Sequence, residues 1–79
     1  MAITVKFFAS LSERFGRREE RIEAVADMTA GAIWSELTRG QPLPPTVLVA
    51  VNMEYATPNT PVHDGDELAF FPPITGGLK

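Results

Sequence analysis

The chain has 79 residues, 44% hydrophobic and 22% charged, which is the size and balance of one small globular domain burying about 60% of its unfolded surface. Its 7 Lys+Arg against 10 Asp+Glu leave a net charge of −3, so a nucleic-acid partner, which needs clustered cations to displace phosphate counterions, is not expected. The absence of cysteine excludes disulfides, a thiolate nucleophile and Cys-ligated metal, and no apolar run approaches the ~20 residues of a membrane span. The expectation is a cytoplasmic protein without a membrane partner.

From Ala2 to Ala9 the residues Ile3, Val5 and Phe7 alternate with Thr4, Lys6 and Phe8, the period of a strand with one core face. Ser10 stands three residues before Glu13 in a capping-box spacing, and Leu11 and Phe15 follow one turn apart before Gly16, so a short helix is read over Leu11 to Phe15. The charged residues Arg17 to Glu20 read as a solvated turn, and Arg21 to Val25 as a second strand exposed on one face. Thr29 is the N-cap of a main helix over Ala30 to Arg39, with Ile33 and Leu37 in its apolar stripe, Trp34 flanking it and Gly40 as its stop. The proline-rich connection Gln41 to Pro45 leads into a β-branched run, Val47 to Val51, typical of a buried strand. Asn52 opens a tight turn, a short edge segment surrounds Tyr55 between flanking prolines, and Asp64, Gly65 and Asp66 turn the chain into a last strand, Glu67 to Phe71. The order is β-α-β-α-β-β-β, an α+β domain.

Most chemical constellations fail on count or spacing. His63 is the single histidine and nothing marks a serine beside it, so it reads as a loop residue rather than part of a triad. Asp64, Asp66 and Glu67 lack the ligand spacing of a calcium loop and sit where a hairpin turn belongs. Gly16, Gly31, Gly40 and Gly65 are isolated punctuation, not a phosphate loop, and Trp34 and Leu37 read as core.

Strand parity carries more. If Phe7 and Phe70 point under the helix, then Phe8 and Phe71 point away from it. Two readings of these outward aromatics stand side by side: ordinary strand propensity, or an apolar docking patch shared with Tyr55. The tail has two as well. Pro72 and Pro73 favour an extended stem, and Ile74 and Thr75 lead to the bare tip Gly76-Gly77, which is either a disordered terminus or a chain end built to be threaded into another protein's active site.

These residues resemble the small subunits of molybdopterin synthase, the MoaD group within the MoaD/ThiS ubiquitin-like sulfur carriers. The similarity runs over Val5-Lys-Phe-Phe-Ala9, Val49-Ala-Val-Asn52 and, most specifically, Asp64-Gly-Asp-Glu-Leu-Ala-Phe-Phe-Pro-Pro-Ile-Thr-Gly-Gly77. The resemblance implies a single β-grasp (ubiquitin-like) domain, a mixed sheet with one main covering helix and a short second helix, and a flexible tail over 72–79. It implies parallel pairing of the first and last strands. It implies further that the Gly77 carboxylate is adenylated by an ATP-dependent activating enzyme of the MoeB-like class and converted to a thiocarboxylate. The large, MoaE-like synthase subunit then uses that sulfur to convert cyclic pyranopterin monophosphate to molybdopterin. On this reading Gly77 and Gly76 form the reactive tip, and Phe8, Tyr55, Phe71, Pro72, Pro73, Ile74 and Thr75 contact partners. The chain itself is expected to bind no cofactor and no metal, ATP being used by the activating enzyme.

Family members usually end at the second glycine, whereas here Leu78 and Lys79 follow it. Three accounts are open: removal by a tail-processing protease, residues foreign to the native chain, or a variant that carries no sulfur. Three other functions share the fold: a sulfur carrier of a thiamine or cysteine type of pathway, a ubiquitin-like protein modifier, and a plain β-grasp interaction module.

Overall fold

The computed structural model describes residues 2–24 and 26–72. The elements follow in the order β1 (Ala2–Phe7), α1 (Ser10–Phe15), β2 (Glu19–Glu23), α2 (Ala30–Leu37), β3 (Leu48–Val51), β4 (Glu54–Ala56) and β5 (Glu67–Phe71). The strands form one five-stranded sheet in the order β2-β1-β5-β3-β4. The two outermost in sequence, β1 and β5, lie side by side at its centre and run parallel, with Val5 opposite Leu68 and Phe7 opposite Phe70. All other pairings are antiparallel. This is the mixed β-grasp sheet that the sequence leads one to expect.

Alternation in β1 and β5 decides the layering. Ile3, Val5, Phe7, Leu68 and Phe70 are buried on the face beneath α2, where they meet Ala30, Ile33 and Trp34. Phe7 stacks on Phe15 of α1 at 4.4 Å, and Trp34 meets Phe15 and Phe70 edge-on at 5.4 and 4.9 Å. Aromatic edges against faces add roughly 0.5–1.5 kcal/mol per pair beyond area burial.

Trp34 is therefore at the centre of the core and not beside the stripe, while Leu37, placed with Ile33 in the stripe, is only partly buried. The spacing 30, 33, 34 and 37 gives a stripe whose last member ends the helix and lies at the margin of the core, beside a surface groove it shares with Ile22 and Met28. Leu37→Ala is accordingly expected to cost about 2 kcal/mol, the low end for a leucine truncation, and Ile33→Ala clearly more. Chemical denaturation midpoints of the two variants check that order.

Other boundaries differ for local reasons. Ser10 is not the N-cap of α1; Ala9 is, with no side-chain cap, and the Ser12 hydroxyl donates to the Ala9 carbonyl at 2.7 Å. The Phe8 N–H still donates to Phe70 O, so the chain must reverse in one residue, and Ser10 falls inside the first turn. Ala9 takes the strain, with φ 54° and ψ −130°, a region that side chains disfavour and glycine tolerates. Ala9→Gly is expected to raise stability by about 1 kcal/mol, the released strain exceeding the added unfolded-state entropy. A higher melting temperature checks this.

The turn after α1 is shorter than Arg17 to Glu20, because Phe7 N–H donates to Arg18 O and β2 begins at once. The strand spans Glu19–Glu23 instead of starting at Arg21, setting Glu19 opposite Lys6 and Ile22 opposite Ile3. The expected end at Val25 lies outside the described residues. At the other end of the core, α2 stops at Leu37 rather than Arg39, since Arg39 and Gly40 both take positive φ. Thr29 caps α2 as expected, accepting from Ala32 N–H at 3.1 Å.

Gly31 is not punctuation. Its N–H donates to Pro58 O at 2.8 Å, and a Cβ there would stand 3.1 Å from that carbonyl. The glycine lets the 57–62 segment lie against the start of α2, where Ala30 N–H donates to Thr60 O and Val62 N–H to Met28 O.

Candidate docking face and chain exit

The sheet face turned away from α2 holds the residues of opposite parity. On it Phe8, 41% exposed, stacks flat on Phe71, with centroids 4.6 Å apart and planes within 7°. Beside this stack Ala69 pairs with Ala50 and Ala50 pairs with Tyr55 across β5, β3 and β4. Two alanines in register leave a low floor between taller walls. The result is a depression of about 290 Å³ lined by Phe8, Ala50, Met53, Tyr55, Glu67, Ala69 and Phe71.

Its outer wall comes from the β3–β4 turn. Asn52 and Met53 both have positive φ, 52° and 71°, the pairing of a two-residue turn that matches strand twist. Met53 is 91% exposed and Tyr55 80%, so two large side chains of apolar character stand in water on one face. On the same face the Lys6 ammonium lies 3.4 Å from the Glu67 carboxylate, an exposed pair worth at most about 1 kcal/mol.

The structure thus gathers Phe8, Tyr55 and Phe71, separated by 47 and 16 positions in sequence, around one concavity. Pro72, partly buried, is the first residue beyond β5, so the chain leaves the sheet at the rim of this depression. Pro73, Ile74, Thr75, Gly76 and Gly77 lie outside the described residues. Sequence reasoning missed Met53 and the alanine floor. Extending the parity of Phe71 through Ala69, and across the turn from Ala50 to Tyr55, is the signal that could have found them.

At the end of β5 opposite the chain exit, the Asp66 carboxylate accepts from Asn52 Nδ2 at 3.0 Å and from the His63 backbone N–H at 2.8 Å, with the His63 Nδ1 3.7 Å away. The hydrogen bonds, that from Asn52 foremost and then that from His63, hold the Asp66 carboxyl below the ordinary carboxylate range, with burial opposing them. Asp64 and Gly65 form the turn expected of them. Because the folded pKa of Asp66 is depressed, its contribution to stability is present above the unfolded carboxylate pKa and is lost as pH falls through the folded value. The melting-temperature gap between wild type and Asp66→Asn is thus expected to be full near neutral pH and to close on acidification. A pH series of thermal melts checks it.

Among the described residues no group of three or more His, Asp or Glu could hold a metal ion, and no helix is long and apolar enough to cross a membrane.

Comparison with known proteins bears on this site. The model of the ThiS family matches residues 5–77. A molybdopterin synthase sulfur carrier subunit of Haemophilus influenzae is 35% identical, over 95% of this chain and 99% of its own. The corresponding subunit of Escherichia coli is 55% identical over 31 residues, a match that spans 39% of this chain and 38% of that protein. Among solved structures, small archaeal modifier protein 1 of Haloferax volcanii superposes with a TM-score of 0.81 at 31% identity, covering 98% of this chain and 100% of that one. A subunit of the complex between subunits 1 and 2 of the molybdopterin-converting factor of Helicobacter pylori superposes with a TM-score of 0.63 at 25% identity, covering 98% and 100%.

Proposed function

Because the chain belongs to the ThiS family, the ubiquitin-like MoaD/ThiS sulfur carriers, we propose that it is the sulfur-carrying subunit of a molybdopterin synthase, delivering sulfur from a thiocarboxylate on Gly77. The observation that carries the reading is the exit of the chain at Phe71 and Pro72 on the rim of an exposed apolar depression. A partner seated on that face receives the tail along the same surface. Both relatives named for molybdopterin synthase, and the Helicobacter neighbour named for a complex of two subunits, support this choice of partner and pathway.

The chemistry needs no side chain of this protein. A carboxylate is a poor electrophile until a good leaving group is attached. A Gly77 carboxylate oxygen attacks the α-phosphorus of ATP on a MoeB-like activating enzyme, expelling pyrophosphate. A sulfur nucleophile then attacks the acyl carbon, and AMP departs with the former carboxylate oxygen. The thiocarboxylate is anionic near neutral pH, and its sulfur is passed to cyclic pyranopterin monophosphate in the large, MoaE-like subunit. The chain thus carries reactive sulfur without a cysteine. On this reading the reaction takes place in the cytoplasm.

The likeness to small archaeal modifier protein 1 favours a second reading, in which the activated Gly77 is joined to lysine amines of target proteins. Incubating the chain, trimmed to Gly77, with an activating enzyme, ATP, a sulfur donor and both candidate acceptors separates the two by intact mass. Exchange of one carboxylate oxygen for sulfur, followed by molybdopterin formation with the large subunit, supports the first; adducts on target lysines support the second. No mass change at all rejects both.

A further inference from the structure

Asn52 and Asp66 stand in two of the three stretches that carry the family resemblance, yet neither lines the depression, and a docking face by itself leaves them without a task. Their hydrogen bonds give them one. The Asn52 amide uses both ends, its Oδ1 accepting from the Glu67 backbone N–H at 3.0 Å and its Nδ2 donating to Asp66 Oδ1 at 3.0 Å. The other carboxylate oxygen of Asp66 accepts from the His63 backbone N–H at 2.8 Å, and the Asn52 backbone N–H donates to Glu67 O at 2.8 Å. The residue immediately after Asn52 is Met53, and the turn they share carries Met53 and Tyr55 to the outer wall of the depression.

We infer that Asn52 and Asp66 form a positioning latch, which ties the β3–β4 turn to the start of β5 and so fixes the Met53 and Tyr55 wall relative to the Phe8/Phe71 stack that a docking protein must match. The geometric half stands alone; the consequence for docking rests on the function proposed above. A wall held in place before the partner arrives spares the ordering cost that a mobile tip would levy on affinity.

The donor pattern makes the latch specific. Only an amide of this length presents an acceptor to Glu67 N–H and a donor to Asp66 at once. Asn52→Asp turns an oxygen toward the Asp66 carboxylate, so two acceptors and two negative charges face each other. Asp66→Asn leaves its new amide nitrogen facing a donor, either the Asn52 amide or the His63 N–H. The exchanged pair, Asn52→Asp with Asp66→Asn, restores every bond: the carboxylate at 52 accepts from Glu67 N–H and from the amide at 66, whose oxygen accepts from His63 N–H. Net charge is unchanged, and aspartate tolerates the left-handed backbone at position 52 as asparagine does.

The test follows amide hydrogen exchange at residues 53–56 by NMR in the free chain, together with affinity for the large subunit of a molybdopterin synthase. Each single variant is expected to speed exchange there, and to weaken binding, by about tenfold, the equivalent of one charge-assisted hydrogen bond. The exchanged pair is expected to recover both, while Ile33→Val, destabilising from the opposite side of the sheet, leaves the affinity of the folded chain unchanged. An exchanged pair no better than the singles, or singles whose exchange at 53–56 matches wild type, overturns the latch. Altered exchange without altered affinity, in a series where Phe8→Ala/Phe71→Ala does lose affinity, overturns its part in docking. If the double phenylalanine variant binds like wild type, the docking reading falls instead, and the exchange rates alone decide for or against the latch.

Discussion

Replacing Phe8 and Phe71 together by alanine is expected to weaken binding of the large synthase subunit by at least about thirtyfold, the equivalent of ~2 kcal/mol at an interface hot spot, with a much smaller effect on folding. The two rings stack on each other at 4.6 Å on the face away from α2, Phe8 is 41% exposed and Phe71 partly buried, so part of their apolar area is still in water in the free chain. That area is available to a partner in a way that the core's is not. Phe7 and Phe70, one position away in each strand, are 3% and 0% exposed, and alanine at either is expected to cost about 3–5 kcal/mol of folding free energy. The contrast between adjacent residues is the sharpest form of the test, because composition and sequence position are nearly shared and only parity differs. Isothermal titration with the large subunit, beside thermal melts of the same chains, reads both quantities. Equal affinity for wild type and the Phe8/Phe71 variant would remove this face from the docking account.

That parity was legible in the sequence shows where such reading works. In β1 the apolar period is strict from Ala2 to Phe7, and in β5 the large side chains Leu68 and Phe70 share one face, so the face of every residue follows from one assumption about the core, and the parallel pairing agrees with the family resemblance. Reading failed where tertiary contacts override local preference. Glutamate is a weak strand former, which hid the start of β2, yet the edge of β1, whose Phe7 N–H donates to Arg18 O, draws Glu19 and Glu20 into the sheet. Ser10 has the right spacing for a cap but lies one residue too late, because the strand hydrogen bond from Phe8 N–H to Phe70 O delays the reversal to Ala9. Trp34 reads as core but as flanking the stripe, whereas it sits fully buried at the centre; its Nε1 has no hydrogen-bond partner among the described residues, and the aromatic contacts with Phe15 and Phe70 outweigh that cost. The pairing of Asn52 with Asp66 spans fourteen positions and no periodicity announces it.

The reactive end of the chain yields the largest effect expected. A chain carrying Leu78 and Lys79 should acquire no thiocarboxylate in a purified activation assay, and removal of those two residues should restore it. Adenylation needs a free carboxylate oxygen to attack phosphorus, and in the sequence as it stands the Gly77 carbonyl belongs to a peptide bond with Leu78. The carboxylate on Lys79 does not substitute, since it would be delivered two residues beyond the reacting position, on the order of 7 Å along an extended chain. Misplacement by about 1 Å already costs roughly a hundredfold in rate. Leu78 adds a steric barrier of its own, because Gly76 and Gly77 present no side chain to a channel while leucine brings a branched one. Position relative to the docking face sharpens the argument: Phe71 and Pro72 fix where the tail starts, so the number of residues from there to the carboxylate sets how far it reaches. Intact-mass analysis of the full chain and of a chain stopped at Gly77, each incubated with activating enzyme, ATP and a sulfur donor in the absence of protease, measures the difference directly. Equal thiocarboxylate formation on both chains would show that reach does not set the site of activation, and Gly77 would lose its assignment.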